Sequence, residues 1–91
     1  MPREAPPPLP GLGPKSSGML RSAGITSIAE LREIGSVPAF VRVRRAGCRP
    51  SLNFLWGLES AITGEPWQEV ARNHRASLLL ALEAAERLAG D

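Results

Sequence analysis

The sequence contains no tyrosine, one cysteine and one histidine, and each shortage excludes a class of site. Because Cys48 is alone, the chain cannot form an internal disulfide. Cys48 and His74 together supply too few ligands for a zinc site built from this protein alone. We therefore expect no bound metal and no other cofactor, and a reducing compartment such as the cytoplasm.

Long apolar runs are also absent. The longest, Leu78 to Leu82, is far shorter than the roughly 20 apolar residues that a membrane helix needs. The first residues, Met1 to Pro8, lead into prolines rather than into the apolar segment of a signal peptide. These features predict a cytoplasmic protein with no membrane contact.

The residue patterns typical of enzymes are not found. We see no nucleophile with a matching base, no pair of matched carboxylates and no long phosphate-binding loop. Gly11-Leu12-Gly13 is not preceded by the strand that a dinucleotide-binding fingerprint requires. The sequence therefore predicts a protein that is not an enzyme.

What the sequence does contain predicts a single all-α domain. Its 91 residues are enough for one hydrophobic core, and 43% of them are hydrophobic. Residues 1–8 form a proline-rich segment that is expected to be an extended, disordered tail. Residues 9–91 are expected to form one compact bundle of about five short helices, since no alternating strand pattern appears.

Apolar residues recur at helical spacing in five segments. We expect a first helix over Pro14–Ser22, a second from the Ser27 capping box to Ile34, a third capped by Ser36 and closed by Gly47, a fourth over Leu52–Thr63, and a last one from an Asn73 N-cap to just before Gly90. A single helical turn is predicted at Glu65–Val70, where Trp67 and Val70 would cover the end of the bundle. Glu59 lies on the otherwise apolar fourth helix, and an arginine of the third helix is its expected partner.

The segment from Leu9 to Leu20 predicts a tight turn that runs into the first helix. Gly11 and Gly13 are suited to a sharp bend, and Pro14 suits the first helical position. The N–H groups of Lys15 and Ser16 would then be free to bind an anion, beside the only lysine of the chain. The alternative is a well-capped helix start with no ligand.

A second cationic feature lies between Gly35 and Leu58, where the sequence has no acidic residue. Arg42 and Arg45 repeat at helical spacing, and Arg49 follows just after the end of the third helix. Such guanidinium groups can form a phosphate-binding patch. They can equally form a solvated face whose arginines pair with glutamates of other helices.

The Leu-Pro-Gly-Leu-Gly-Pro-Lys pattern resembles the hairpin of helix-hairpin-helix modules, which hold nucleic-acid backbones through the amides of the turn. A complete module has a helix just before the hairpin. Here that position is occupied by Ala5-Pro6-Pro7-Pro8, which cannot form a helix. At most half of the motif is therefore present.

Longer segments resemble the C-terminal domain of the TfoX/Sxy family, which are bacterial regulators of natural competence for DNA uptake. The matching segments are Gly11–Ser16, Ala23–Thr26, Leu31-Arg32, Gly35, Val43-Arg44, Arg49–Glu59, Thr63-Gly64 and Trp67. The resemblance implies an all-α fold of SAM or helix-hairpin-helix type and no catalytic residues. It also implies a transcriptional role, in which the full-length proteins act with a cyclic-AMP receptor protein. Family members carry an α/β domain before this one, so the chain is expected to be either a stand-alone member or part of a longer protein.

Two functions remain open on the sequence. The favoured one is a regulatory protein-interaction module that contacts a transcription factor or RNA polymerase, as the family resemblance implies, or a second copy of itself. The alternative is binding of nucleic-acid backbone, such as DNA, without sequence preference. Its expected contacts are Gly11, Gly13, Lys15, Ser16, Arg42, Arg45 and Arg49.

Overall fold

The computed structural model describes residues 12–88, which form six α-helices and no strand. The helices are α1 (Pro14–Ser22), α2 (Ile28–Ile34), α3 (Ser36–Arg45), α4 (Leu52–Thr63), α5 (Trp67–Asn73) and α6 (Arg75–Leu88). The all-α prediction is confirmed. The proline-rich segment at residues 1–8 and Gly11 of the hairpin lie outside the described residues.

The hydrophobic core is built around α4, which contacts α2, α3 and α5. Its Leu55 and Leu58 are completely buried, and its Phe54 ring lies 6.2 Å from the ring of Phe40 on α3. α6 packs against α3 and α5. The remaining fully buried large side chains come from α1, α2, α3, α5 and the α1–α2 loop: Leu20, Leu31, Val43, Val70 and Ile25.

Two helix ends follow the same local rule. After α1, the N–H of Gly24 donates to Arg21 O and the N–H of Ile25 donates to Leu20 O, each at 2.9 Å. This Schellman arrangement needs a left-handed residue, and Gly24 has φ +83°. Gly47 ends α3 in the same way with φ +99°. The predicted helix ends are confirmed, and Arg49 lies beyond α3 as expected.

The Ser27 cap of α2 is also confirmed. The Ser27 hydroxyl oxygen accepts the N–H of Glu30 at 3.1 Å. The Glu30 carboxylate in turn accepts from the Thr26 hydroxyl at 2.6 Å and from the Thr26 N–H at 3.0 Å. These two hydrogen bonds, the hydroxyl one foremost, lower the pKa of Glu30 below its ordinary value.

The start of α3 differs from the prediction. Gly35, with φ +93°, occupies the N-cap position, and Ser36 is already the first helical residue. Ser36 is buried and its hydroxyl donates to Glu59 Oε1 of α4 at 2.6 Å. The predicted Ser36 cap was therefore wrong, and the partner found for Glu59 is this hydroxyl rather than an arginine of α3. The bend at Gly35 turns Ser36 inward, which explains both differences.

The C-terminal part has two helices where one turn and one helix were expected. The predicted turn continues as α5, and the Asn73 side chain donates to Glu69 Oε2 within that helix. The Asn73 cap was thus wrong, because His74 alone joins α5 to α6. The His74 N–H donates to Val70 O and its carbonyl accepts from Leu78 N–H, each at 2.9 Å. Val70 is buried as expected, but half of Trp67 is exposed.

None of the helices in residues 12–88 combines the length and the apolar character that crossing a membrane would require.

Candidate nucleic-acid interface

The first element of the site is the N-terminus of α1. Gly13 is the N-cap residue, Pro14 follows as predicted, and no side chain caps this end among the described residues. The first helical hydrogen bond runs from the N–H of Ser17 to Gly13 O at 3.0 Å. The N–H groups of Lys15 and Ser16 precede it and point out of the helix end. Gly13 has an ordinary φ of −76°, so its predicted need for glycine backbone angles is not observed.

The N-terminus of α4 is the second element. Ser51 is the N-cap residue in extended conformation, and its side chain makes no capping hydrogen bond. The N–H of Phe54 donates to Ser51 O at 3.0 Å. The N–H groups of Leu52 and Asn53 come before this bond. Neither α1 nor α4 has an acidic residue in its first turn, which would otherwise neutralise the positive end of the helix dipole.

These two helix starts border the same open cleft of about 290 Å³, which we call the α1/α4 cleft. Lys15 and Arg49 bring two cationic side chains to it, and no carboxylate is among the described residues that line it. Within residues 12–88 it is lined by Lys15, Ser16, Met19, Arg49, Pro50, Ser51, Asn53 and Phe54. Two cations, two helix N-termini and several hydroxyl and amide donors make this cleft suited to an anion.

A second depression adjoins the cleft, since both are lined by Ser16 and Asn53. We call it the Trp67 depression, because the indole of Trp67 is its aromatic wall. Gly13, Gly57 and Leu12 complete it. Trp67 as a whole is 50% exposed, whereas tryptophan is on average a highly buried residue.

The arginines predicted as one patch are divided between surfaces. Arg49 lines the α1/α4 cleft, whereas Arg45 lines a different depression together with Arg44 and Glu86. Arg42 is exposed on α3. Arg44 forms an ion pair with Glu86 of α6, as the alternative interpretation of this stretch anticipated for its arginines. The structure thus brings together Lys15, Ser16 and Arg49, with Gly13 on the adjoining depression.

Sequence reasoning did not include Ser51, Asn53 and Trp67 among the site residues. Ser51 and Asn53 could have been predicted from the sequence. Pro50-Ser51 indicates a helix start with no acidic residue in its first turn, as Gly13-Pro14 does for α1. Trp67 carried no such signal. A tryptophan before Val70 at helical spacing normally predicts core packing.

A third depression of about 450 Å³ lies between α3, α4 and α6. Phe40, Leu52 and Leu82 contribute apolar side chains to its lining, and Arg44 and Arg49 contribute cationic ones. Within residues 12–88, no group of three or more His, Cys, Asp or Glu side chains lies close enough together to hold a metal ion.

Comparison of the sequence with known proteins identifies its family. Residues 7–82 match the family model described as TfoX C-terminal domain. A curated relative from Haemophilus influenzae, named DNA transformation protein TfoX, is 34% identical over 82 residues. That alignment covers 90% of this chain but 38% of the relative, so the chain spans about two fifths of the relative's length. No solved structure gives a significant match. Because the family model matches residues 7–82, which are most of the chain, the chain belongs to the TfoX family and corresponds to its C-terminal domain.

Proposed function

We propose that this chain is a non-catalytic, cytoplasmic module in the regulation of DNA transformation, and that it binds nucleic-acid backbone in the α1/α4 cleft. Family membership and a relative named DNA transformation protein TfoX support the regulatory context. The observation that carries the backbone contact is the meeting of Lys15 and Arg49 at two helix starts that have no side-chain cap, with no carboxylate among the described residues of the lining.

A phosphodiester would use each part of the cleft differently. Lys15 offers a mobile point charge, and Arg49 offers a planar group that can hold two phosphate oxygens. The amides at the starts of α1 and α4 add donors that need no rearrangement. These contacts fix the position of the backbone but do not read the bases. Transcriptional control would therefore need a sequence-specific partner, in agreement with the role that the resemblance implies.

The contact is expected to be weak and sensitive to salt. Two neutralised phosphates give a slope of about −1.8 in log affinity against log salt for duplex DNA. If Arg42 and Arg45 on α3 bind further phosphates, the slope approaches about −3 to −4. Gly13, the N-cap residue of α1, remains part of the proposal. The predicted contact at Gly11 lies outside the described residues.

The test is a fluorescence anisotropy titration of labelled DNA at low salt. We expect Lys15→Ala to weaken binding severalfold. The matched control is Arg32→Ala, which removes one positive charge from the exposed end of α2, away from the cleft lining. Binding that is absent in the wild type, or that responds equally to both substitutions, would overturn the proposal.

The mixed apolar and cationic depression lined by Arg44 and Arg49 favours a second function, which is docking of a protein. Its three apolar side chains and two flanking arginines fit a partner surface that carries apolar and acidic residues. A transcription factor or RNA polymerase is the partner class that the family suggests, and a homodimer is the simpler case. Leu52 of α4 is the exposed apolar side chain of this depression. Leu80 of α6 is also exposed but does not line it.

Sedimentation and pull-down experiments test this second function. If the depression is the docking surface, Leu52→Glu abolishes the association, whereas Leu80→Glu leaves it unchanged. The reverse result would move the interface to the outer face of α6. A chain that sediments as a monomer and retains neither a competence transcription factor nor RNA polymerase has no such function.

A further inference from the structure

We infer that the ligand of the α1/α4 cleft is a single strand rather than a duplex, and that one of its unpaired bases stacks on Trp67. The inference rests on the proposed backbone contact and adds the class of nucleic acid to it. It concerns the Trp67 depression, which the proposed phosphate contacts do not involve.

The exposure of Trp67 is the starting observation. The other tryptophan, Trp56, is 5% exposed and belongs to the core, whereas Trp67 is 50% exposed. Its depression is bordered by Gly13 and Gly57, which carry no side chain that could cover the ring. Among residues 12–88, a Cβ at Gly13 would meet no atom within 4 Å, and one at Gly57 would meet a methyl group of Leu12 at 3.7 Å. The described residues therefore leave half of Trp67 accessible to a ligand.

The position of this ring relative to the charges selects the occupant. Ser16 and Asn53 line both surfaces, so the Trp67 depression lies next to the cleft that is lined by Lys15 and Arg49. An aromatic ring beside paired cations is the arrangement with which proteins bind single strands: the charges hold the backbone and the ring receives a base. An apolar protein segment would leave these two cations without partners of opposite charge.

Strandedness follows from where bases present their faces. In a duplex, each base face is covered by its neighbours in the stack, so an indole at the surface cannot reach it without unstacking. In a single strand, a base can turn away from the backbone and stack on an aromatic side chain. Because every base has such a face, stacking on Trp67 requires no particular sequence, which agrees with a cleft that reads only phosphates.

The test compares an unlabelled single-stranded oligonucleotide with the same sequence in duplex form, using intrinsic tryptophan fluorescence and competition against labelled DNA. We expect the single strand to quench the emission of Trp67 and to bind about tenfold more tightly than the duplex, within the range that stacking of one base supplies. Trp67→Ala should remove the quenching and weaken single-strand binding by roughly 5- to 100-fold, with duplex binding unchanged. Trp67→Phe should retain part of the preference.

Two controls separate stacking from other effects. Leu80→Ala removes another exposed apolar side chain, on α6, and should change neither affinity. Circular dichroism of Trp67→Ala checks that the variant is still helical. The quenching experiment uses the wild-type protein, so its result does not depend on whether a variant folds.

The outcomes distinguish this inference from the proposed function. Equal binding of single strand and duplex without quenching would refute stacking on Trp67 and leave the phosphate contact standing. Binding of neither form would refute both.

Discussion

The hydroxyl of Ser36 donates a 2.6 Å hydrogen bond to Glu59 Oε1, and this contact joins the first residue of α3 to the middle of α4. Gly35, the N-cap residue of α3, has no side chain with which to cap the helix. The carboxylate that reaches this end therefore comes from another helix, where the positive end of the α3 dipole favours it. α3 and α4 are thereby fixed against each other at one end, while the loop that carries Arg49 joins them at the other.

Replacing Ser36 by Ala should destabilise the fold by about 1–3 kcal/mol, since it leaves the partly buried Glu59 carboxylate without its donor. Glu59→Gln keeps a hydrogen-bond acceptor and removes the charge, so its effect should be smaller. Urea unfolding of the three proteins measures the difference. An unchanged midpoint for Ser36→Ala would show that water satisfies the carboxylate equally well.

Gly18 inside α1 and Gly24 just after its end should respond in opposite directions to replacement by alanine. Gly24 has φ +83°, so an alanine there is strained and should cost about 1–2 kcal/mol. Gly18 lies inside the helix, and a Cβ at this position would meet no atom within 4 Å. Gly18→Ala should therefore stabilise the protein by about 0.5–1 kcal/mol. Thermal unfolding of the two variants measures the direction of each change in stability. A loss of stability for Gly18→Ala would contradict the open space found beside Gly18.

Local and distant determinants explain what the sequence could predict. The bounds of α1 and α4 and the ends at Gly24 and Gly47 depend on residues within one turn of each other, and they were predicted correctly. Ser36 was misassigned because its partner, Glu59, is 23 residues away. The α5–α6 junction was misassigned because no glycine or proline marks it, and only His74 separates the two helices.

The cleft depends on distant residues in the same way. Lys15 and Arg49 were each singled out from local patterns, but nothing local indicates that they line one surface. Arg45 was grouped with Arg49 because they are close in sequence. The end of α3 at Gly47 separates them, and Arg45 lines a different depression.

Acid should weaken the protein in part through Glu30. Its pKa is lower in the folded state, chiefly because of the hydroxyl and N–H of Thr26, so its stabilising effect is present above the unfolded pKa. That effect is lost as the pH falls through the folded pKa. Thr26→Ala removes the hydrogen bond that lowers the pKa of Glu30 most. It should therefore destabilise the protein at about pH 6 more than at about pH 3. Urea midpoints of the wild type and Thr26→Ala at the two pH values test this. An equal loss of stability at both pH values would mean that the loss of the Thr26 hydroxyl acts independently of the charge on Glu30.

Arg49 and Arg44 offer a direct comparison of two neighbouring arginines. Arg44 is already paired with Glu86, whereas Arg49 lines the cleft beside Lys15. If Arg49 neutralises one phosphate of duplex DNA, Arg49→Ala should make the salt slope less steep by about 0.9. Arg44→Ala removes the same charge from a site where a carboxylate already balances it, so its slope should stay close to that of the wild type. Anisotropy titrations at four or more salt concentrations give the slopes. Equal changes for the two variants would mean that the whole positive surface, rather than the cleft, attracts the DNA.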